Sequence, residues 1–550
     1  MLASGNPSGW GRFLDPTFGS AGTVSVDSRS GQIAVQPDGK VVVTALAGDV
    51  NNYAFALARY NADGSPDLAF GRDGTGRIVT DVTPVSDHPA AVAIAPGGQI
   101  LVAGTNGDFG TSSRAGDFLL VRYTPGGILD TSFGDSGIVV TDVAGNQDIV
   151  SELLPQPDGK VVLAGYDTVG FQGLASPGRI VLARYGADGS LDGSFGSGGI
   201  VLTDFPDSPS DRAQDAALQP DGGIVVLARI ATSFASSYDA LIRYTAAGVP
   251  DATFGGGPVP AGGVGVVVAP GGRILVRGGA ASPSDDSDFA VFAFNPDGSV
   301  DRTFGRRGQT QTNFGTSSES GAGARGASDV ADMLAVAPDG SILVAETSDA
   351  LPAGSPGATR LALARYDADG KPDLRFGDRG RILAAFGPDQ SRVTGLAVDV
   401  AGNVVAAVSA NSAFTLARFV GHDIPGVPSG HGTPRVKVRR GTLRVRGTNG
   451  ADDITVSSET TGFLTVTVDG LSQNVAAGDV RRIVVSAGAG DDVLTLDTGV
   501  SIPARLLGGP GNDTFFSRNA AVDRLLGGPG ADAAQKDDRD VARSVESLVT

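Results

Sequence analysis

RYNADGSPDLAFG, Arg59 to Gly71, is the stretch that decides the architecture, because versions of it recur along most of the chain. It reads as the end of a β-strand, a tight Asp-Gly turn, and an Asp followed three residues later by Phe-Gly. The second half appears as Asp15/Phe18/Gly19, Asp67/Phe70/Gly71, Asp130/Phe133/Gly134, Asp192/Phe195/Gly196, Asp251/Phe254/Gly255, Asp301/Phe304/Gly305 and Asp373/Phe376/Gly377, seven copies in all. Asp15 and Asp373 are 358 residues apart over six intervals. The mean period of about 60 falls where periodicity signals propellers or solenoids.

Three further elements recur between one Phe-Gly and the next. A short segment ends near Thr-Asp, as in Gly76 to Asp81, Gly137 to Asp142 and Gly199 to Asp204. Two apolar runs then flank a Pro-Asp-Gly or Pro-Gly-Gly turn, as in Ala91 to Gly104 and Leu153 to Gly165, which is a strong hairpin signal. The last strand ends in Arg-Tyr at Tyr60, Tyr123, Tyr185, Tyr244 and Tyr366, with looser copies at Phe289 to Phe294 and Phe414 to Phe419. Four strands per unit in seven units is the arithmetic of a seven-bladed β-propeller, an all-β fold whose closure leaves no free sheet edge. If Leu14 to Val26 pairs with the sheet begun near Leu396, the N-terminal segment completes the last blade.

Asp-x-x-Phe-Gly, the Gln-Pro-Asp-Gly-Lys turn (Gln36 to Lys40, Gln156 to Lys160) and the Ala-Arg-Tyr strand resemble the bacterial delta-60 repeat over roughly residues 14 to 420. The resemblance implies a repeat architecture and says little about activity. The expected organisation is an N-terminal tail (1–13), the propeller (14–420), a Gly, Pro and His linker (421–434) and a second domain (435–550).

The second domain contains LLGGPGND, Leu506 to Asp513, and LLGGPGAD, Leu525 to Asp532. Successive glycines permit positive φ and turn carbonyls inward, while the closing Asp supplies a hard anionic oxygen of the kind calcium takes. These turns resemble the repeats-in-toxin, or hemolysin-type, motif, which implies a parallel β-solenoid with calcium held between stacked coils. The expected calcium-binding positions are Gly508, Gly509, Gly511 and Asp513, Gly527, Gly528, Gly530 and Asp532, and the degenerate upstream copy Gly488, Gly490 and Asp492. Asp513 and Asp532 are 19 apart, close to one coil, and Asp492 lies 21 upstream of Asp513. Ala533 and Ala534 depart from the family pattern, where an apolar residue follows the Asp. The alternative is a glycine-rich solenoid whose turns hold no metal.

Two repeated polar patterns inside the propeller read as structural. Asn61/Asp63/Asp67, Asn295/Asp297/Asp301 and Asp367/Asp369/Asp373 faintly resemble the start of a calcium loop, but Asn and Asp favour such turns by bonding their own backbone. The arginines of Arg-Tyr, at 59, 122, 184, 243 and 365, could form an anion ring. Recurrence once per blade reads instead as an internal bridge, for which the Asp of Phe-Gly is the natural partner.

Composition narrows the function. Lys plus Arg total 42 against 60 Asp plus Glu, a net charge of -18 that disfavours nucleic acid and anionic membranes. With no cysteine there is no disulfide, thiolate metal site or Cys nucleophile. The histidines, His88, His422 and His431, are poorly placed for a triad or zinc site, and no P-loop, GxSxG or HExxH occurs. The first twenty residues show no signal-peptide pattern, and no stretch approaches eighteen uninterrupted apolar residues, so no membrane span is expected. The expectation is a monomeric, non-enzymatic, extracellular or cell-surface protein. In it the propeller binds a protein or glycan and calcium binds the C-terminal turns. A propeller lyase or hydrolase with carboxylates at the channel mouth is the competing reading; a single Trp and eight Tyr argue against a broad sugar-stacking platform. Val541, Val545 and Leu548 at helical spacing are expected to form a strand or helix capping the solenoid.

Overall fold

The computed structural model describes residues 13–26, 31–49, 52–107, 116–143, 145–168, 178–233, 236–281, 287–312, 332–348, 360–377, 380–384, 386, 391–399, 402–410, 413–420, 435–447, 452–458, 463–468, 471–517, 519 and 521–548. The linker 421–434 and residues 1–12 of the expected tail lie outside them. Contacts divide the chain into two compact units, Met1–Pro372 with Gly380–Gly421, and Asp373–Arg379 with His422–Thr550. No helix among the described residues is long and apolar enough to cross a membrane.

Seven four-stranded antiparallel sheets form the blades of a propeller. Blade two shows the plan: Asp87–Ile94 innermost, then Ile100–Asn106, Phe118–Tyr123 and, outermost, Ile138–Thr141. The innermost strands of the other blades are Ile33–Val35, Gln147–Pro155, Asp211–Leu218, Gly265–Val268, Met333–Val336 and Ser391–Val398. Each contacts the next around the ring, and the last contacts Ile33–Val35. The segment after Phe-Gly is therefore the outer edge of its blade, and the small-residue run lines the centre. Blade seven is completed from the other end of the chain: Thr23–Val26 pairs antiparallel with Ala413–Phe419, with Val24 opposite Leu416. Phe13 is buried and its carbonyl accepts a bond from the Val420 amide at 3.1 Å.

The apolar cores lie between blades. Phe118, Leu120 and Phe133 of blade two pack with Leu163, Val181, Ala183 and Tyr185 of blade three. At the closure Phe18, Phe414 and Leu416 meet Val41, Val43 and Tyr60. The repeated polar residues tie the same seams. Tyr123, Tyr185 and Tyr244 donate through their hydroxyls to Thr80, Thr141 and Thr203 on the preceding blade's outer strand, at 2.8, 2.9 and 2.8 Å. In blade two the Arg122 Nε meets Asp130 at 2.9 Å, the guanidinium lies 4.2 Å from the Phe133 ring centroid, and Nη1 donates to Ala187 O of blade three at 2.6 Å. Gly134 (φ 52°) donates to Asp188 O in that blade, and a Cβ there would lie 2.4 Å from Ile138 O.

The arginine is an internal bridge, as its recurrence suggested, and blade five reveals how far this holds. Ala293 occupies the arginine position there, and Arg273, just after the Gly-Gly turn, reaches Asp301 from the other side at 2.8 Å. The Asn/Asp turns are local too: Asp63 accepts from the Ser65 amide and hydroxyl at 2.9 and 2.6 Å, and Asp297 accepts the same pair from Ser299.

The second unit holds a six-stranded and a seven-stranded sheet, mostly parallel, and from Arg482–Ser486 onward successive strands of the chain alternate between them. In one ladder Val485, Leu506 and Leu525 stand in register; in the other Leu494, Phe515 and Ala534 do. All six are buried in one core. The extra spacing upstream is occupied by the strands Phe463–Val468 and Leu471–Ala476, added antiparallel at one edge.

Candidate functional site

The parallel, in-register ladders place the expected calcium-binding residues in columns. Asp452 N donates to Asp492 Oδ1 at 2.8 Å, Asp492 N to Asp513 Oδ1 at 3.0 Å, and Asp513 N to Asp532 Oδ1 at 2.7 Å. Each carboxylate thus secures the backbone of the coil before it. Asp492, Asp513 and Asp532 are fully buried. The second oxygens of Asp513 and Asp532 are buried with no hydrogen-bond partner, a costly arrangement for an anion.

The glycines explain how the column fits. Gly509 and Gly511 have φ of 129° and 140°, and a Cβ would lie 1.7 Å from Gly488 O and 2.0 Å from Gly490 O. Gly528 and Gly530 repeat this over Gly509 O and Gly511 O. A Cβ on Gly508 or Gly527 would lie 1.9 or 2.1 Å from Oδ2 of Asp513 or Asp532. One orphaned carboxylate oxygen per coil beside stacked glycine carbonyls fits an oxygen-seeking cation such as calcium. Burial pushes the Asp513 carboxyl up to about 6, with the charges of Asp532 and Asp491 adding to it.

One member of this column and a second ladder were not legible in the sequence. Glu546 Oε2 accepts from Asp532 N at 2.7 Å, ending the ladder where no further GGxGxD copy exists. A second ladder runs along another turn: Ala504 N donates to Asp523 Oδ1 at 2.6 Å and Asp523 N to Asp540 Oδ1 at 2.8 Å. Only Asp523 and Asp540, 17 residues apart and in different contexts, mark it in the sequence, and Ala504 stands at the first place of the ladder. Ala534 is fully buried under Phe515, so the alanines continue the ladder with a smaller residue. The terminal segment forms the short strands Val541–Arg543 and Ser547–Leu548, one on each sheet, and not a helix.

A second constellation lies on the propeller's inner strands. Glu152 and Asp215 occupy equivalent places, each five residues before a turn proline, Pro157 and Pro220. Gln32, Ala91, Gly265, Met333 and Gly395 fill that place around the rest of the ring. The charges of the two acids bear on each other: burial first, then the Asp215 charge, raises the Glu152 pKa. Asp215 Oδ2 also accepts from Val266 N of blade five at 2.9 Å. A Cβ on Gly265 would lie 2.2 Å from Arg277 Nε, so the missing side chain makes room for a guanidinium whose charge bears on both acids. This three-blade set was invisible to motif reading because its members lie 63 and 62 residues apart. Nearer the mouth, a cavity of about 500 Å³ is lined by Leu218, Val268, Val336 and Val398 with Pro220, Pro270 and Pro338.

Comparison with known proteins supports a propeller repeat protein. Residues 36–70 and 156–195 match the family model described as "Domain of unknown function (DUF5122) beta-propeller". No curated protein matches the chain. Solved structures similar to it include a puromycin hydrolase (17% identity, TM-score 0.40, covering 78% of this chain and 59% of that one). A polysaccharide lyase of the ulvan lyase family is similar at 10% identity and TM-score 0.39, over 73% of this chain and 96% of that one. YCF48 from Cyanidioschyzon merolae is similar at 8% identity and TM-score 0.38, over 72% and 98%. This chain spans 59% of the hydrolase's length.

Proposed function

We propose that this protein is a non-enzymatic, extracellular or cell-surface repeat protein. In this reading the propeller is a rigid scaffold for a protein or glycan partner, and residues 435–550 form a β-roll-like solenoid locked by calcium. The observation that carries the calcium reading is the pair of buried, unpartnered oxygens on Asp513 and Asp532. Gly508, Gly509, Gly511 and Asp513 with Gly527, Gly528, Gly530 and Asp532 would hold ions, Gly488, Gly490 and Asp492 extending the column. Calcium would supply the positive charge that the buried Asp513 and Asp532 oxygens lack, while the aspartates hold the backbone of the preceding coil. Because the ion binds the folded coils and not the unfolded chain, its role would be stability. The acidic balance of -18 favours cations as partners.

The test is calcium titration of the full chain against D513N/D532N. The reading requires the parent to bind more calcium than the variant; equal stoichiometry and affinity would contradict it.

Glu152, Asp215 and Arg277 favour a second reading, a lyase or hydrolase working in the propeller channel. Two electrostatically coupled acids beside a guanidinium would provide a proton donor, a base and an anion anchor. Turnover of an acidic polysaccharide panel that E152Q abolishes, with no loss of fold, would replace the scaffold reading with this one.

A further inference from the structure

The junction between blades two and three differs from its neighbours by one carboxylate. Asp142 follows the outer strand Ile138–Thr141, Asp148 is the second residue of the next inner strand, Gln147–Pro155, and Asp117 directly precedes Phe118–Tyr123. One oxygen from each of the three lies within 4.8 Å of the others. Asp142 is exposed, Asp117 half-buried and Asp148 fully buried at 0% exposure. Asp148 Oδ2 accepts from Val143 N at 2.7 Å, but its Oδ1 is buried with no hydrogen-bond partner. Asp117 and Asp142 are held by backbone and amide bonds: Asp117 N donates to Asn106 Oδ1 at 2.6 Å, and Gly145 N donates to Asp142 Oδ1 at 2.5 Å. Burial and the charges of Asp167, Asp142 and Asp117 push the Asp148 carboxyl up to about 7. Asp167 itself is paired with Arg179.

The repeat supplies its own controls. At the junction of blades one and two the equivalent acid, Asp87, has both oxygens satisfied, Oδ2 by the Val82 and Thr83 amides and Oδ1 by the Thr83 hydroxyl at 2.7 Å. In sequence, alanine replaces that threonine at 144; between blades three and four Asp211 Oδ1 is likewise buried without a partner, so the difference at this junction lies in the third acid. The strand registers also align Asp117 with Ala54 in blade one and Arg179 in blade three. Where the neighbours place a methyl group or a cation, blade two places a third carboxylate. Three acids around an orphaned, buried oxygen amount to a charge arrangement that a proton or a cation must neutralise.

We propose that Asp117, Asp142 and Asp148 form a divalent-cation site of the calcium type that clamps blades two and three together. An all-oxygen, carboxylate-rich set selects a hard cation over zinc or copper. Asp148 supplies Oδ1 from the inner strand of blade three, Asp117 and Asp142 come from blade two, and solvent at the exposed Asp142 side completes the shell. The site is independent of the C-terminal turns and of the acids in the channel.

The test is calorimetric calcium titration of the chelator-stripped full chain, as parent, D148N, D513N/D532N and the triple variant. The expected result is that D148N removes one ion from the stoichiometry in either background, or weakens it at least tenfold. Calcium binding by D148N that matches its background, or an absence of binding in D513N/D532N up to millimolar calcium, would overturn the proposal. If D148N does not fold by circular dichroism, D117N is judged by the same criterion, since residue 117 is half-buried and its short bond to Asn106 uses the backbone, the carboxylate accepting only a 3.4 Å bond from Asn106 Nδ2. Equal binding by parent and D513N/D532N would refute the C-terminal reading and leave this one standing. Magnesium bound by these residues with calcium excluded would overturn the calcium assignment.

Discussion

Arg418→Met should open the propeller at its seam. Arg418 Nε lies 2.9 Å from Asp15 Oδ2, Nη2 lies 3.3 Å from Thr17 Oγ1, Nη1 bonds Ala62 O in blade one, and the guanidinium sits 4.7 Å from the Phe18 ring centroid. The Arg418 and Asp15 side chains are 9% and 13% exposed. Breaking a buried pair costs about 3–5 kcal/mol. Asp15 keeps its bonds from the Thr17 amide and hydroxyl at 2.9 and 2.6 Å, and some solvent reaches it, which lowers the figure. An unpaired Ala62 carbonyl restores about 1 kcal/mol. The net loss is about 3 kcal/mol, or roughly two orders of magnitude in the opening equilibrium. Native-state hydrogen exchange reads it directly: amides of Thr23–Val26 and Ala413–Phe419 should exchange about a hundredfold faster. Arg122→Met removes a chemically similar bridge from blade two, Arg122 Nε to Asp130 at 2.9 Å, and should leave those amides within a few-fold of the parent. Equal acceleration in both variants would refute the idea that the seam opens as its own unit.

Other outcomes follow from the same geometry. Tyr185→Phe removes the 2.9 Å bond to Thr141 and should cost about 1–2 kcal/mol in urea unfolding. Gly509→Ala forces a Cβ against Gly488 O at a φ of 129° and should cost at least about 3 kcal/mol of the second unit's stability, read as earlier urea unfolding. Stability of the metal-free protein should peak at mildly acidic pH in denaturant titrations. Asp130 and Asp251 are held below the usual carboxylate range chiefly by bonds from Ser132 and Thr253, so their contribution exists above the unfolded pKa near 4 and disappears as acid protonates them. Glu152 is raised by burial and Asp215, so its contribution is complete below the unfolded value and is lost as pH climbs through the folded one. Glu152→Gln should flatten the alkaline side.

The blade plan was legible because its signals are local. Each Asp-Gly turn and each Phe-Gly carries its conformational requirement in two or three adjacent residues, and the closing role of Leu14 to Val26 followed from where the repeat begins and ends. The arginine bridge was legible from recurrence, but the switch from position 293 to Arg273 in blade five was not, since the guanidinium enters from a neighbouring strand. Glu152 and Asp215 meet only because equivalent positions of consecutive blades face each other, and Arg277 joins them only because Gly265 leaves space. The Asp148 site became distinctive only once the strand registers set Asp117 against Ala54 and Arg179 in the neighbouring blades. At the C-terminus the apparent helical spacing of Val541, Val545 and Leu548 arose from two short strands joined by a turn, a pattern that three residues cannot separate from a helix.

The most direct measurement of the calcium reading is hydrogen exchange on the full chain in calcium against chelator. The account predicts strong added protection in the strands Val493–Leu496, Thr514–Ser517 and Ala533–Lys536, a smaller local gain around Asp142 to Asp148, and little change in blades four to six. A response spread evenly over the propeller, or none in those three strands, would contradict it.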